Sequence, residues 1–258
     1  MKHPLLATAV LGMALALPAA AQTITPGNPD NSFYAEDIPF LVGGDPVQPQ
    51  LAGLNVRTIP GYGPGYVYDF CADFLTGANN LSAFNVTPGF GGSLGSGQQD
   101  QIEALFSHAL PTFVQMLDSY IIANGGDWAE ETDGALGLQF NALVGYAGGM
   151  QVALWEIIHD TSGDLSIDSE GALAGNFRVE PLAADPANPR AESARENAET
   201  FLENIRDGVW VDIGGINYYY ANPQEESDQD RLWVTVPEPS TALLGALGLL
   251  AVLRRRRG

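Results

Sequence analysis

The sequence predicts an α+β fold, in which a mixed β-sheet or sandwich packs against helices within one domain. Three observations lead to this prediction. Residues 66–74 alternate between two faces and are dense in aromatic side chains, as in a strand. Apolar residues recur at helical spacing in 111–123 and again in 191–207. The sequence shows no solenoid-type repeat, so strands and helices are mixed along one chain.

The first half of the chain predicts strands and loops followed by helices. Residues 22–65 are rich in Pro, Gly and Asn, which predicts irregular edge strands and loops. A connection rich in Gly, Asn and Ser at 77–97 leads to two packing helices, at 98–109 and 111–123. Pro111 is expected to begin the second of them.

The strand at 66–74 separates its side chains into two sets. Successive residues of a strand point to opposite faces, so Cys71 is expected on the face opposite Tyr66, Tyr68 and Phe70. Cys71 is the only cysteine and therefore has no internal disulfide partner. It is left with three alternatives: intermolecular pairing, a buried inert thiol, or a thiol with special chemistry.

Another helix is predicted at 146–160. Gln151, Leu154, Trp155 and Ile158 fall on one face of it. A glutamine buried on an apolar face without hydrogen-bond partners costs on the order of several kcal/mol. Gln151 therefore needs an explanation that its apolar neighbours do not.

The last part of the chain predicts short strands and one amphipathic helix. The helix at 191–207 turns apolar residues such as Phe201 inward and glutamates such as Glu199 outward. Short strands are expected at 165–167, 176–179, 209–211, 218–220 and 232–234.

The amino terminus has the layout of a secretion signal. A positive start at Lys2 precedes an apolar run at 5–17 and an Ala-rich end, so residues 1–21 are predicted to be removed after Ala21. The alternative is a buried amino-terminal helix. The domain is therefore expected to span 22–235, outside the cytoplasm.

The carboxy terminus carries a second signal. An apolar run at 241–253 spans about 20 Å as a helix, short of the roughly 30 Å hydrocarbon core that a lone transmembrane helix must cross. The flanking residues are Pro237, Glu238 and Pro239 before it and Arg254, Arg255, Arg256 and Arg257 after it. Terminal arginines hold that end in the cytoplasm, so the chain before it faces outward.

Residues 236–258 resemble the PEP-CTERM sorting signal of Gram-negative bacteria. The resemblance implies recognition by an exosortase, transient anchoring in the inner membrane by a short transmembrane helix, and removal of the tail on delivery to the cell surface or matrix. A simple tail anchor is the alternative, with the same outward topology.

The charge balance excludes one class of partner. The chain has a formal net charge of −20, and residues 22–236 hold six arginines against thirty acidic residues. Nucleic acid is excluded, because phosphate binding needs a basic surface. The same residues contain no lysine, either by compositional bias or because an amine-reactive group is present.

Two motifs resemble bacterial thioester domains over most of 65–235. The first is Tyr-Asp-Phe-Cys ending at Cys71, and the second is Gln-Val-Ala-Leu-Trp-Glu-Ile beginning at Gln151. The resemblance implies an internal thioester between Cys71 and Gln151, formed with loss of ammonia. Tyr68, Phe70 and Trp155 are expected to wall the site and exclude water.

The function that this resemblance implies is one-time covalent capture. An amine, or less often a hydroxyl, on a partner protein or polysaccharide would displace the sulfur, in adhesion or matrix assembly. Such a protein is not a turnover enzyme and needs no cofactor. The alternatives are a noncovalent envelope or matrix component with a buried Cys71, and a cysteine hydrolase with His108 or His159 as base.

Three further features are given no role in the site. Glu156 is expected to be solvated, and His108 to end a helix at the surface. The acidic residues Asp160, Asp164, Asp168 and Glu170 miss the spacing of a calcium loop, so no metal is predicted.

Overall fold

A computed structural model gives the architecture of the domain. It describes residues 22–26, 28–42, 45–62, 65–73, 83–92, 94–159, 165–167, 177–179, 189–224 and 229–236. The predicted signal peptide and the sorting tail from Pro237 onward lie outside the described residues.

The α+β prediction is confirmed: in the described part of the chain, three helices accompany one open antiparallel sheet. The strands are β1 (Gln22–Ile24), β2 (Asn31–Val42), β3 (Asp45–Arg57), β4 (Val67–Cys71), β5 (Phe84–Pro88), β6 (Phe177–Val179), β7 (Asn217–Pro223) and β8 (Arg231–Thr235). The helices are α1 (Ser96–Ala123), α2 (Gly134–His159) and α3 (Pro189–Arg206). Across the sheet the strands run β1-β5-β7-β8-β4-β3-β2-β6.

The helices cover one face of the sheet and build the main core there. Phe70 of β4 packs on Phe106 of α1 with ring centroids 4.7 Å apart, and Phe33 of β2 meets Phe113 at 5.7 Å. A smaller apolar cluster around Trp233 and Phe84 covers part of the opposite face. The strand that carries Cys71 is therefore held at the middle of the sheet, between β3 and β8.

Residues 22–65 were predicted to form irregular edge strands and loops, and this prediction was wrong. β2 and β3 are the two longest strands described and form an extended antiparallel hairpin. The register shifts on both sides of Ile38, so bulges accommodate a proline-containing stretch without ending either strand. The proline, glycine and asparagine content predicted irregular structure, but buried residues of β2, Phe40 among them, stabilise the hairpin against the helices.

The two helices predicted at 98–109 and 111–123 are one helix, α1, with Pro111 inside it. A proline removes the hydrogen bond to the carbonyl four residues earlier and favours a break. Here Phe106, Leu110 and Phe113 form a buried face that continues across the proline. Packing of that face against the sheet outweighs the local preference.

Helix α2 begins at Gly134, well before the predicted start at residue 146. Its glycines lower the helical signal but permit close packing on α3. A Cβ on Gly149 would lie 2.5 Å from the Cβ of Asn197, and one on Gly148 would lie 2.8 Å from that of Ala194. The glycines therefore bring α3 against the helix that carries Gln151.

The remaining predictions have mixed outcomes. Helix α3 agrees with the predicted 191–207 to within two residues, and β6, β7 and β8 correspond to predicted strands. Residues 165–167 and 209–211 were wrongly predicted as strands, and β5 lies where a connection was expected. The first of these segments is joined to β6 by the amide of Val179, which donates to the carbonyl of Ile167 at 3.2 Å.

Candidate functional site

The fold brings Cys71 and Gln151 into direct contact although they are eighty residues apart in sequence. The backbone N–H of Cys71 donates to Oε1 of Gln151 at 3.0 Å. Nε2 of Gln151 donates to the backbone carbonyl of Cys71 at 2.7 Å. The Gln151 carboxamide therefore has both of its polar atoms paired, which is why this glutamine is tolerated on a buried face.

The end of a strand ladder creates the place that Gln151 occupies. Pairing between β3 and β4 runs from Arg57 opposite Val67 to Leu54 opposite Phe70 and stops there. One residue further along β4, the main chain of Cys71 is met by side chains of α2. The carboxamide, which accepts through its oxygen and donates through its nitrogen, replaces a neighbouring strand at this position.

Trp155 completes the set of contacts around the Cys71 carbonyl. It lies one turn beyond Gln151 on α2, and its Nε1–H donates to the same oxygen at 2.9 Å. The indole is buried and meets Phe40 edge to face with centroids 5.3 Å apart. Of the three wall residues proposed from the sequence, Trp155 is the one with a hydrogen bond to Cys71.

The other two wall residues, Tyr68 and Phe70, lie in the main core under the helices. Cys71 stands directly opposite Arg231 of β8, and opposite residues of an antiparallel pair share a face. The thiol therefore belongs to the sheet face away from Tyr68 and Phe70, as the alternation predicted. The carboxamide of Gln151 reaches the main chain of the same residue from the helical side.

The thiol is held in a partly buried environment. Cys71 has intermediate exposure and packs against the main core. Burial raises the pKa of the Cys71 thiol to about 11, because a thiolate loses hydration there. The neutral thiol is therefore the resting form at neutral pH.

Glu156 is a correction to the sequence prediction. It was expected to be solvated, yet it is fully buried. Helix α2 is buried on all sides from Ala147 to Ile157, so no outward face remains at this position. Its Oε1 accepts from the backbone N–H of Ser166 at 3.1 Å, which ties α2 to the segment 165–167.

The two histidines considered as bases occupy different places. His108 lies within α1, not at a helix end, with Nε2 2.9 Å from the carbonyl oxygen of Val211 and its ring stacked on Trp210. His159 ends α2, and its Nε2–H donates to the carbonyl of Ala72 at 3.1 Å. Of these two histidines, His159 is therefore the one that contacts the residue next to Cys71.

His159 makes stability depend on pH in the mildly acidic range. Burial lowers its pKa below the ordinary value of 6.5, so the folded chain binds this proton less readily than the unfolded chain. The stabilisation is present above pH 6.5 and is lost as pH falls toward the folded pKa. We expect a larger loss of unfolding free energy between pH 7 and pH 5 for the native protein than for His159→Gln, measured by urea titration. Equal losses in the two proteins would contradict this assignment.

A cavity of about 400 Å³ borders Ala72, the residue that follows Cys71. Asp73, His159, Tyr220 and Asp230 are also among its lining residues. The hydroxyl of Tyr220 donates to the carboxylate of Asp230. The cavity therefore has two carboxylates, those of Asp73 and Asp230, next to the chain that follows Cys71.

Sequence reasoning missed Arg231, the residue opposite Cys71. The available signal was Asp69, a carboxylate inside an otherwise apolar strand, which needs a buried cation. Within the described ranges, no group of three or more His, Cys, Asp or Glu residues is placed to hold a metal ion. The acidic residues Asp160, Asp164, Asp168 and Glu170 lie outside those ranges.

Comparison with known proteins identifies the carboxy-terminal segment. Residues 235–257 match the PEP-CTERM protein-sorting motif. No curated protein and no solved structure matches the chain. The chain is therefore an exported protein that transits a membrane and is sorted by an exosortase.

The motif agrees with the sorting signal predicted from Pro237, Glu238, Pro239 and the terminal arginines. In the part of the chain that the structure describes, none of the helices is both long and apolar enough to span a membrane. The transmembrane helix predicted at 241–253 lies outside that part.

Proposed function

We propose that this exported protein binds a partner covalently through an internal thioester between Cys71 and Gln151. The observation that carries the proposal is the pair of hydrogen bonds between the buried Gln151 carboxamide and the main chain of Cys71. Residues of β4 and α2 that are distant in sequence are thereby held at one point. Such placement replaces a rare encounter of two groups with a high effective concentration.

Bond formation needs only the two side chains. The Cys71 sulfur attacks Cδ of Gln151, the C–N bond breaks, and the amide nitrogen leaves as ammonia with the thiol proton. Negative charge develops on Oε1 during the attack, and the N–H of Cys71 already points at that atom from 3.0 Å. A fixed donor at a developing oxyanion lowers the barrier.

Partner capture is the reverse exchange with a different nucleophile. A primary amine attacks the thioester carbonyl, the C–S bond breaks, and an amide on residue 151 and a free Cys71 thiol result. A hydroxyl would leave an ester instead. Each molecule reacts once, so the protein acts as a covalent clamp and not as a turnover enzyme, and it needs no cofactor.

Two features support a long-lived thioester. Gln151 is fully buried, and Trp155 covers the neighbouring carbonyl, so water is excluded from the reacting carbon. Residues 22–236 also contain no lysine, so sister molecules offer few amines for cross-linking. A partner group can approach through the cavity beside Ala72. The protein would then serve adhesion or cohesion at the cell surface or in the extracellular matrix.

One observation favours a second candidate, a noncovalent component of the envelope or matrix. The hydrogen bonds that hold Gln151 also give both of its polar atoms a partner, as in an ordinary core amide. Burial at the same time keeps the Cys71 thiol protonated. In this alternative the pair has only a structural role.

Intact mass of the processed protein, before and after methylamine, separates the two candidates. With a thioester, the mass is one ammonia below that calculated, and methylamine raises it by the mass of one methylamine. Cys71→Ala has its full calculated mass and does not react. A full calculated mass in the native protein, unchanged by methylamine, would overturn the proposal and favour the noncovalent candidate.

A further inference from the structure

A group of buried charges lies on the sheet face that carries the Cys71 thiol. Nε of Arg57 donates to Oδ2 of Asp69 at 2.6 Å, and an Nη of Arg231 donates to the same oxygen at 2.9 Å. The side chains of both arginines are 1% exposed and that of Asp69 is 0% exposed. We call these three residues the charge cluster.

The charge cluster places a permanent cation beside this part of the sheet. Guanidinium groups stay protonated in proteins. A cation within about 4–6 Å of an acid stabilises the charged form of that acid. The groups to consider are therefore the ionisable side chains beside Arg231.

Besides Asp69, two ionisable groups of the described residues interact with Arg231, from different strands. Cys71 stands opposite Arg231 in the β4–β8 ladder, where Cβ atoms are about 5 Å apart. Tyr34 of β2 also interacts with Arg231 and Arg57, but its burial and the neighbouring Cys71 raise the pKa of its phenol far above neutrality. The thiol is therefore the group on which the charge of Arg231 acts.

We propose that the charge cluster activates Cys71: Arg231, held by Asp69 and supported by Arg57, stabilises the thiolate that attacks Gln151. This role in bond formation rests on the proposed function, whereas its effect on the thiol does not. The step needs no further reactant, because the proton lost by the thiol leaves with ammonia when the C–S bond forms.

The titration of Cys71 agrees with this arrangement. Burial is the largest influence and raises its pKa, and the charge of Arg231 is the next largest and lowers it. Asp69 raises the pKa again, Arg57 lowers it, and Asp73 raises it slightly. Loss of Arg231 would thus leave a buried thiol with its main electrostatic support removed.

The test measures thiol reactivity in a protein that cannot form the thioester. Gln151→Met keeps a side chain of similar length but has no acyl group to transfer. Alkylation of Cys71 by iodoacetamide is followed by intact mass from pH 7 to pH 10. In this background Arg231→Gln is expected to react about tenfold or more slowly at pH 9, because one unit of pKa is a tenfold change in thiolate. Arg231→Lys keeps the charge and is expected to stay within about threefold of the parent.

Two further variants complete the design. Arg190→Gln removes a cation from a surface ion pair and is expected to leave the rate unchanged. Arg57→Gln is expected to slow alkylation less than Arg231→Gln does. If Arg231→Gln does not fold, Arg57→Gln serves as the test. A folded variant of Arg231 or Arg57 that reacts as fast as the parent throughout the pH range overturns the proposal. If Arg231→Gln slows alkylation but the native protein has its full calculated mass, the thioester is abandoned. The effect of Arg231 on the thiol then still stands.

Discussion

Replacing Asp69 by alanine is expected to destabilise the domain by about 3–5 kcal/mol, because two buried arginines lose the carboxylate they share. Both hydrogen bonds to Oδ2, at 2.6 and 2.9 Å, disappear together. Asp69→Asn keeps an acceptor oxygen without the charge and is expected to lose less. Chemical denaturation followed by circular dichroism measures both.

A matched control for Asp69 is the surface pair between Arg195 and Glu192, whose N···O distance is also 2.9 Å. Both of its side chains are partly exposed, so water screens the interaction. Glu192→Ala is expected to cost about 0–1 kcal/mol. Similar losses for Asp69→Ala and Glu192→Ala would mean that burial does not set the strength of the charge cluster.

Truncation of Trp155 is expected to be about as costly as loss of Asp69. Trp155→Ala leaves a large void beside Phe40 and removes the donor to the Cys71 carbonyl, for about 3–5 kcal/mol in denaturant unfolding. Trp155→Phe retains much of the packing but not the N–H. Because Gln151 still donates to that carbonyl, the phenylalanine variant is expected to lose only about 1–2 kcal/mol.

The two Trp155 variants therefore separate packing from hydrogen bonding. Equal destabilisation by alanine and phenylalanine would assign the effect to the N–H donor and contradict the packing explanation. The mass assay on Trp155→Phe adds a functional measure. If the indole excludes water from a thioester, that variant gains the mass of one water by hydrolysis, with glutamate left at residue 151, sooner than the native protein does.

Much of the fold was predictable because its elements carry local signals. The alternation around Cys71 and the apolar stripe of α3 follow from strand and helix periodicity. The glutamine on a buried helix face pointed to a specific partner, and the motif pair proposed Cys71 as that partner. The structure brings the two together through the main chain of Cys71, a detail that no sequence motif specifies.

The misses have a common physical cause, which is tertiary packing that overrides local preference. Pro111 and the glycines of α2 reduce helical propensity, yet buried faces and close helix contacts keep those helices intact. The charge cluster depends on sheet register. Asp69 meets Arg57 at a separation of twelve residues and Arg231 at a separation of 162, and strand pairing alone decides which charges meet.

The position of β8 places the sorting motif directly next to the folded domain. This strand lies inside the sheet, between β7 and β4, and ends at Thr235, where the match to the sorting motif begins. An extended residue spans at most about 3.5 Å, so Val236 provides almost no spacer before Pro237. The sorting motif therefore begins at the last residue of a strand that is paired along both edges, so almost no chain separates the folded sheet from the segment that directs sorting.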